Sequence, residues 1–264
     1  MSGEVKGVAV AAQHGKRQRG LPRGGGRVRS AVLWDALRTV LDRIAPEAGP
    51  SDVVDVGGGT GGFAVPLAEL GHRVTVVDSS PDALAALERR AAESGVTVRA
   101  VQGDAVDLPG LLGGDAADLV LCHSVLEYVE DPAAAMAALT AAVRPGGSVS
   151  VLVAGQIAAA LHRAAGGHFD DARRVLADPD GRWGDHDRTP RRFTRETLTD
   201  LATGAGLAPR ELHGVRIFAD LVPGALIDAD ADSAEALIAL ESAAATHPVL
   251  RELATQLHLV ADRR

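Results

Sequence analysis

The chain has 264 residues, enough for one large domain or a domain with an arm. Its 46% hydrophobic content supplies a full core and argues against global disorder, while a formal net charge of -8 argues against a surface coated in basic groups for nucleic acid. The single cysteine, Cys122, rules out a disulfide framework, no apolar run has the length of a membrane span, and Val8 to Ala12 is too short for a signal-peptide core. A soluble protein of a reducing cytoplasm is expected.

Residues 1–29 read as a flexible basic arm. Lys16, Arg17, Arg19, Arg23, Arg27 and Arg29 surround Gly24-Gly25-Gly26, and no acid falls between Glu4 and Asp35. Such a segment is either a solvated tail or a lid that orders over a cofactor or grips a phosphate-rich substrate. Residues 30–264 read as the domain. Ser30 is placed to cap a helix from Ala31 to Ile44, where Trp34, Leu37, Val40, Leu41 and Ile44 recur at helical spacing.

Val53 to Val56 is an apolar run with the length of a buried strand. A glycine loop, Gly57 to Gly62, a helix-like segment, Phe63 to Leu70, and a second apolar run ending at Asp78 complete a β-α-β unit. Glycines let a backbone come close to a ligand, and a carboxylate about 20 residues further on suits a ribose diol. The loop admits two readings. Gly57, Gly59 and Gly62 fit the dinucleotide pattern G-x-G-x-x-G, whereas Gly57, Gly59 and Gly61 fit the G-x-G-x-G of enzymes that use S-adenosylmethionine (SAM). Asp55 favours the second, because a pyrophosphate would be repelled by a carboxylate two residues before the first glycine.

Ser79-Ser80-Pro81 opens the next helix, with Leu84 and Leu87 on its apolar face and Gly95 as its stop. Val96, Val98 and Val101 make a third strand. In a SAM-binding fold the loop Gly103 to Pro109 would line the adenine, with Asp104 placed to accept its amino group and the following backbone N–H to reach a ring nitrogen. Asp118 to Cys122 is strand four, Pro132 to Val143 a helix, Arg144-Pro-Gly-Gly147 a turn and Ser148 to Val153 strand five. A helix over Ala154 to Gly167, a polar loop over Asp178 to Arg192 and a helix over Thr194 to Ala205 follow. A strand over Pro209 to Phe218, a helix over Asp232 to Ala245, a shorter turn to Ala254 and a last strand over Gln256 to Ala261 complete the chain. The order predicts an α/β fold with a seven-stranded, mostly parallel sheet whose last strand is antiparallel. The glycine loop, Asp78, Asp104 and His123 then meet at the carboxyl ends of the strands, where such sheets bind ligands.

Several stretches carry a resemblance. They are Arg29-Ser-Ala-Val-Leu-Trp34, Asp55-Val-Gly-Gly-Gly-Thr-Gly61, His123-Ser-Val-Leu-Glu-Tyr-Val-Glu-Asp-Pro132, Arg144-Pro-Gly-Gly147, Gly167-His-Phe-Asp170, Gly214-Val-Arg-Ile-Phe-Ala-Asp220 and the acidic helix around Glu235 to Glu241. Through them the chain, from about Gly26 onward, resembles class I SAM-dependent methyltransferases, and more particularly the tRNA 5-carboxymethoxyuridine methyltransferases, which esterify the carboxylate of a modified wobble uridine. The resemblance implies a Rossmann-like class I methyltransferase fold with SAM as cofactor. It implies that Arg29 contacts SAM from the first helix, that Gly57 and Gly58 offer backbone contacts, and that Asp78 holds the ribose. It places Ala105 and Val106 at the adenine and His123 beside the cofactor. The chain departs from that family at Leu21 and Gly25, where an aromatic and a lysine are usual, and at Ala154-Gly155, where Tyr-Asn is common. These positions lie near the substrate mouth.

Methyl transfer asks a protein mainly for position and a dry site. A carboxylate acceptor, with a pKa near 4, is already ionised at pH 7 and needs a cation to hold it, not a base. Arg29 and Arg216 are the candidate cations. His123 is a candidate base only if the acceptor is a hydroxyl or amine; otherwise it packs against the cofactor. Glu127 and Tyr128 either line the acceptor or pack the turn. Trp183 can stack on a base, whereas Trp34 lies on an apolar face and reads as core. Arg188, Arg191, Arg192 and Arg195 join the basic arm as possible phosphate contacts. No histidine spacing suggests a metal. The acceptor is left open between tRNA and a small metabolite. A nicotinamide-dependent oxidoreductase is permitted by the glycines alone but opposed by Asp55, and a SAM-binding subunit without turnover is also consistent with the sequence.

Overall fold

A computed structural model describes residues 24–44, 49–223 and 231–264. The first 23 residues of the basic segment lie outside the described residues, as do the side chains of residues 24–30, Arg27 and Arg29 among them.

Seven strands form one sheet: β1 (Asp52–Val56), β2 (Arg73–Asp78), β3 (Arg99–Gln102), β4 (Ala117–His123), β5 (Val143–Ala154), β6 (Leu207–Val215) and β7 (Gln256–Arg263). Their spatial order is β3-β2-β1-β4-β5-β7-β6, and only β7 runs antiparallel to its neighbours. This is the sheet expected from the sequence. The last strand, inserted between β5 and β6, separates it from an all-parallel dinucleotide fold.

Alternation along β1 sets up two core layers. Val54 and Val56 pack with α5 (Pro132–Ala142) and α8 (Arg195–Gly204), through Met136, Leu139, Leu198 and Ala202. Val53 faces the other layer, where α1 (Gly24–Ile44), α2 (Ala64–Glu69) and α3 (Pro81–Ser94) contribute Leu37, Val40, Leu67 and Leu87. Local chemistry starts α3 and α5 where the sequence predicts. The Ser80 hydroxyl accepts from the Ala83 N–H at 3.2 Å, Asp131 accepts from Ala133 and Ala134, and Pro81 and Pro132 occupy first turns. Gly95 ends α3 at φ 73°, in the left-handed region.

Several boundaries differ from expectation for physical reasons. Helix α1 begins at Gly24, so Ser30 falls within the helix and not at its start. The modest helical cost of its glycines is set against the apolar contacts the helix makes, with Val32 and Leu33 packed on Leu152 and Val215. The segment after β5 splits into α6 (Gln156–Ala165) and α7 (Phe169–Ala177), which pack on each other. The sequence hides α7 because only Ala172 and Val175 are buried along it. Strand β6 stops at Val215, short of Phe218, because Arg216 adopts φ 62° and the next three N–H groups turn to Glu241. A short helix over Leu108–Leu112, α4, and a last helix over Ala231–Ala245, α9, complete the α-helices described. Among the described residues no helix is long and apolar enough to cross a membrane.

Candidate functional site

A cleft of about 870 Å³ opens at the carboxyl ends of β1, β2, β3 and β4. Gly57, Asp78, Asp104, Ala105, Val106 and Tyr128 line it, so six of the residues expected from sequence converge there.

Asp78 is held in place by backbone. Its Oδ2 accepts from the Gly59 N–H at 2.8 Å and its Oδ1 from the Ser80 N–H at 2.9 Å. Each carboxylate oxygen keeps capacity for a second hydrogen bond, so the group remains able to receive two hydroxyls from the cleft. Gly57 is required by the protein's own packing as well as by any ligand. It has φ 68°, and a Cβ there would stand 2.3 Å from Val125 Cγ2. A Cβ on Gly58 would stand 2.6 Å from Asp55 Oδ2. Gly61 closes the turn, donating to the Gly58 carbonyl and accepting from Val65 at the start of α2. Gly58, Gly59 and Gly61 therefore shape the loop from behind, and Gly57 presents it to the cleft.

Asp55 lies under that loop, 3% exposed, and no hydrogen bond or cation among the described residues offsets the burial of its carboxyl. Burial, and then the charge of Asp78, push its carboxyl up to about 7. A buried carboxylate lacking a counter-charge is matched by a ligand that brings positive charge. SAM carries both a sulfonium and an ammonium, and the residues present fit it: a carboxylate for the diol, an uncompensated acid near the glycine turn, and an exposed Asp104 beside the turn Ala105–Asp107.

His123 ends β4, half-buried and off the cleft wall. Its Nε2 lies 2.9 Å from Ser150 Oγ, which lies 2.7 Å from His258 Nε2. Phe63 meets the His123 ring edge-on at 5.1 Å, and Trp34 packs on Phe63 at 5.3 Å, which puts Trp34 in the core as expected. Burial, helped by His123 and His213, lowers the His258 pKa well below the ordinary imidazole value, so that ring is neutral.

Two substrate candidates do not reach the cleft. Glu127 is buried, and its Oε1 accepts from the Ala154 N–H at 2.8 Å, tying the segment after β4 to the end of β5. Arg216 pairs with Asp220, whose other oxygen accepts from the Thr255 hydroxyl at 2.6 Å. Its charge is already answered. Helix α1 carries Arg29 in its backbone path, and the side chain lies outside the described residues. The loop arginines are similarly engaged. Arg191 pairs with Asp180, Arg192 with Asp187 and Arg195 with Glu196 and Glu252, leaving Arg188 exposed. Among the described residues no group of three or more His, Cys, Asp or Glu is placed to hold a metal ion.

Ser124, Val125, Val129 and Glu130 also line the cleft and were not singled out from sequence. They belong to the stretch His123 to Pro132, but nothing in their residue types marks them. Ser124 adopts φ 59°, unusual for a residue with a Cβ, and its Oγ accepts from Gln256 Nε2 at 3.3 Å.

Comparison with known proteins agrees with this geometry. Residues 54–151 match a family model described as methyltransferase domain. The chain is 34% identical over 149 residues to the tRNA 5-carboxymethoxyuridine methyltransferase of Escherichia coli (strain K12), a stretch covering 55% of each. It is 41% identical over 96 residues to the ubiquinone biosynthesis O-methyltransferase of Methylococcus capsulatus, covering 36% of this chain and 40% of that one. The chain thus spans about half the length of the curated relatives it matches. Among solved structures, a SAM-dependent methyltransferase from Mesorhizobium loti aligns with TM-score 0.57 and 23% identity, covering 89% of this chain and 100% of that one. A [4+2]-cyclase aligns with TM-score 0.56 and 20% identity, covering 87% and 80%. Likeness at that identity establishes the fold alone. The resemblance to SAM-dependent methyltransferases read from the motifs is borne out by the domain match and the named relatives.

Proposed function

We propose that this protein transfers the methyl group of SAM to a carboxylate oxygen of its acceptor, and that the acceptor is the wobble 5-carboxymethoxyuridine of tRNA. The observation that carries the cofactor assignment is the pair of acids at the glycine turn: Asp78 fixed by two backbone N–H groups, and Asp55 buried with no offsetting cation among the described residues. On this reading Asp78 takes the ribose hydroxyls, Asp104 and the backbone at Ala105 and Val106 face the adenine, and Gly57 approaches the amino-acid tail. Asp55 answers the cofactor's positive charge.

When bound, SAM supplies an electrophilic methyl carbon whose bond to sulfur breaks, with the electron pair staying on sulfur, as the new bond to oxygen forms. An ionised carboxylate needs no proton removed. That agrees with His123 being held by Ser150 and Phe63 inside the sheet, away from the cleft. The 34% identity to a tRNA 5-carboxymethoxyuridine methyltransferase supports the acceptor.

Replacing Asp78 with Ala is expected to weaken SAM by roughly 1–3 kcal/mol, the cost of unpaired polar groups. Isothermal calorimetry reads this directly, and unchanged affinity would remove the ribose assignment. For the acceptor, nucleosides from total tRNA are compared by mass spectrometry with and without the protein, and the methyl ester should vanish in its absence. A small metabolite is the second reading, favoured by the ion-paired loop arginines and by the ubiquinone-pathway relatives. An unchanged nucleoside profile would put it ahead.

A further inference from the structure

A second pocket, of about 430 Å³, opens at the same edge of the sheet, where β5 ends at Ala154 and Gly155 and Thr255 leads into β7. Its polar wall comes from His162 and Arg163 of α6, His168, and Trp183 and Arg192 of the loop before α8. No carboxylate lines it, in a chain whose formal net charge is -8. The two arginines are not equivalent. Arg192 is spent on Asp187, at 2.6 and 2.9 Å. Arg163 is available: its guanidinium carbon lies 3.6 Å from the centroid of the Trp183 ring, and the guanidinium itself makes no hydrogen bond among the described residues. The carboxylate facing it, Asp171, is 3.7 Å away and sits closer, at 3.1 Å, to Arg174.

A guanidinium laid over an indole is fixed in orientation while its N–H edge stays open. That edge suits a carboxylate or phosphate, which accepts two parallel hydrogen bonds. The pocket also sits beside the cofactor cleft. Ser124, on the wall of the first cleft, is bonded to Gln256, the residue after Thr255 on the wall of the second. Glu127 bonds the Ala154 N–H while its neighbour Tyr128 lines the first cleft. Adjacent strands are only about 5 Å apart, so a group anchored at the ends of β5 and β7 lies within reach of the end of β4.

We propose that this second pocket seats the methyl acceptor and selects one bearing a carboxylate or phosphate on a planar ring, with Arg163 as the anion clamp and Trp183 as the platform that orients it. The proposal rests on the methyltransferase reading. The chain has two tryptophans, so the Trp183 indole N–H signal in a ¹⁵N-labelled protein is readily assigned. In protein saturated with S-adenosylhomocysteine, 5-carboxymethoxyuridine should shift that signal and bind about tenfold more tightly than uridine. Arg163→Gln should erase the preference while leaving S-adenosylhomocysteine affinity within about twofold, which also shows that the variant is folded. A Trp183 signal that the carboxylate nucleoside does not move, or a preference that survives Arg163→Gln, overturns the proposal. Failure of S-adenosylhomocysteine to bind would instead sink the methyltransferase reading, and the two nucleosides titrated alone would still report on the pocket. An anticodon stem-loop carrying the same base distinguishes the sources. Much tighter binding than the free nucleoside indicates RNA, and equal binding indicates a small acid.

Discussion

At the scale of single residues, Asp55 sets stability against binding. Its folded pKa, about 7, stands above the ordinary 3.8, mainly because burial disfavours the charge. The folded protein therefore holds a proton that the unfolded chain has lost between those two values. Stability of the ligand-free protein should fall as pH rises through that window and level off above it. Asp55→Asn removes the penalty, so its melting temperature should exceed that of the parent at pH 8. On the proposed reading, the same change takes away the acid that answers a cationic ligand. SAM should bind the variant more weakly, and the rise in SAM affinity expected of the parent as pH passes through 7 should be absent. Calorimetry across pH 6 to 8 tests both halves, and a variant that binds SAM as well as the parent would disconnect Asp55 from the cofactor.

At the scale of elements, the end of β6 depends on a residue far along the chain. Glu241 on α9 is fully buried, and its two oxygens accept the N–H groups of Ile217, Phe218 and Ala219 at 2.7 to 2.9 Å. These donors cannot use a strand partner once Arg216 has turned the backbone at φ 62°. Glu241→Ala leaves them unpaired and should cost about 2–5 kcal/mol, seen as a lower denaturation midpoint in urea with an unchanged slope. A cost within about 0.5 kcal/mol, the level of ordinary surface changes, would show that water replaces the carboxylate. The same contact shows where sequence reading stops. Strands β1, β2, β4 and β5 are legible as apolar runs, and the starts of α3 and α5 as local caps at Ser80 and Asp131. Asp78 and the Asp104 loop are legible because spacing along a β-α-β unit fixes which strand end they occupy. For Glu127 and Arg216 the sequence leaves a packing or surface role open beside a substrate role, because their partners, the Ala154 N–H and Asp220 with Thr255, are set by tertiary packing that no local pattern records. Of the second pocket the sequence offered Trp183, Arg192 and Ala154-Gly155 separately but not Arg163, since Arg163 and Trp183 meet only in the fold.

At the scale of the whole molecule, charge is unevenly distributed. Residues 1–29 hold seven of the 27 Lys and Arg and one of the 35 acids, so the remainder is more acidic than the total suggests. Among the described residues, Arg191, Arg192 and Arg195 are paired to carboxylates and have little charge left for phosphates. If tRNA is the acceptor, its backbone must then be met largely by the N-terminal basic residues. Each phosphate neutralised by a cation steepens the salt dependence of binding by somewhat under one unit in the double-logarithmic plot. Removing residues 1–23, and with them Lys6, Lys16, Arg17, Arg19 and Arg23, should flatten that slope by about four units and weaken tRNA binding most at low salt. Neutralising Arg191 and Arg195 together should change the slope by less than about one unit. Filter binding between 50 and 200 mM salt, the range over which such contacts change affinity by orders of magnitude, separates the two variants. Equal slopes for the parent and the shortened chain would mean that these residues do not meet phosphate, and would shift the acceptor toward a small anion taken up at Arg163 alone.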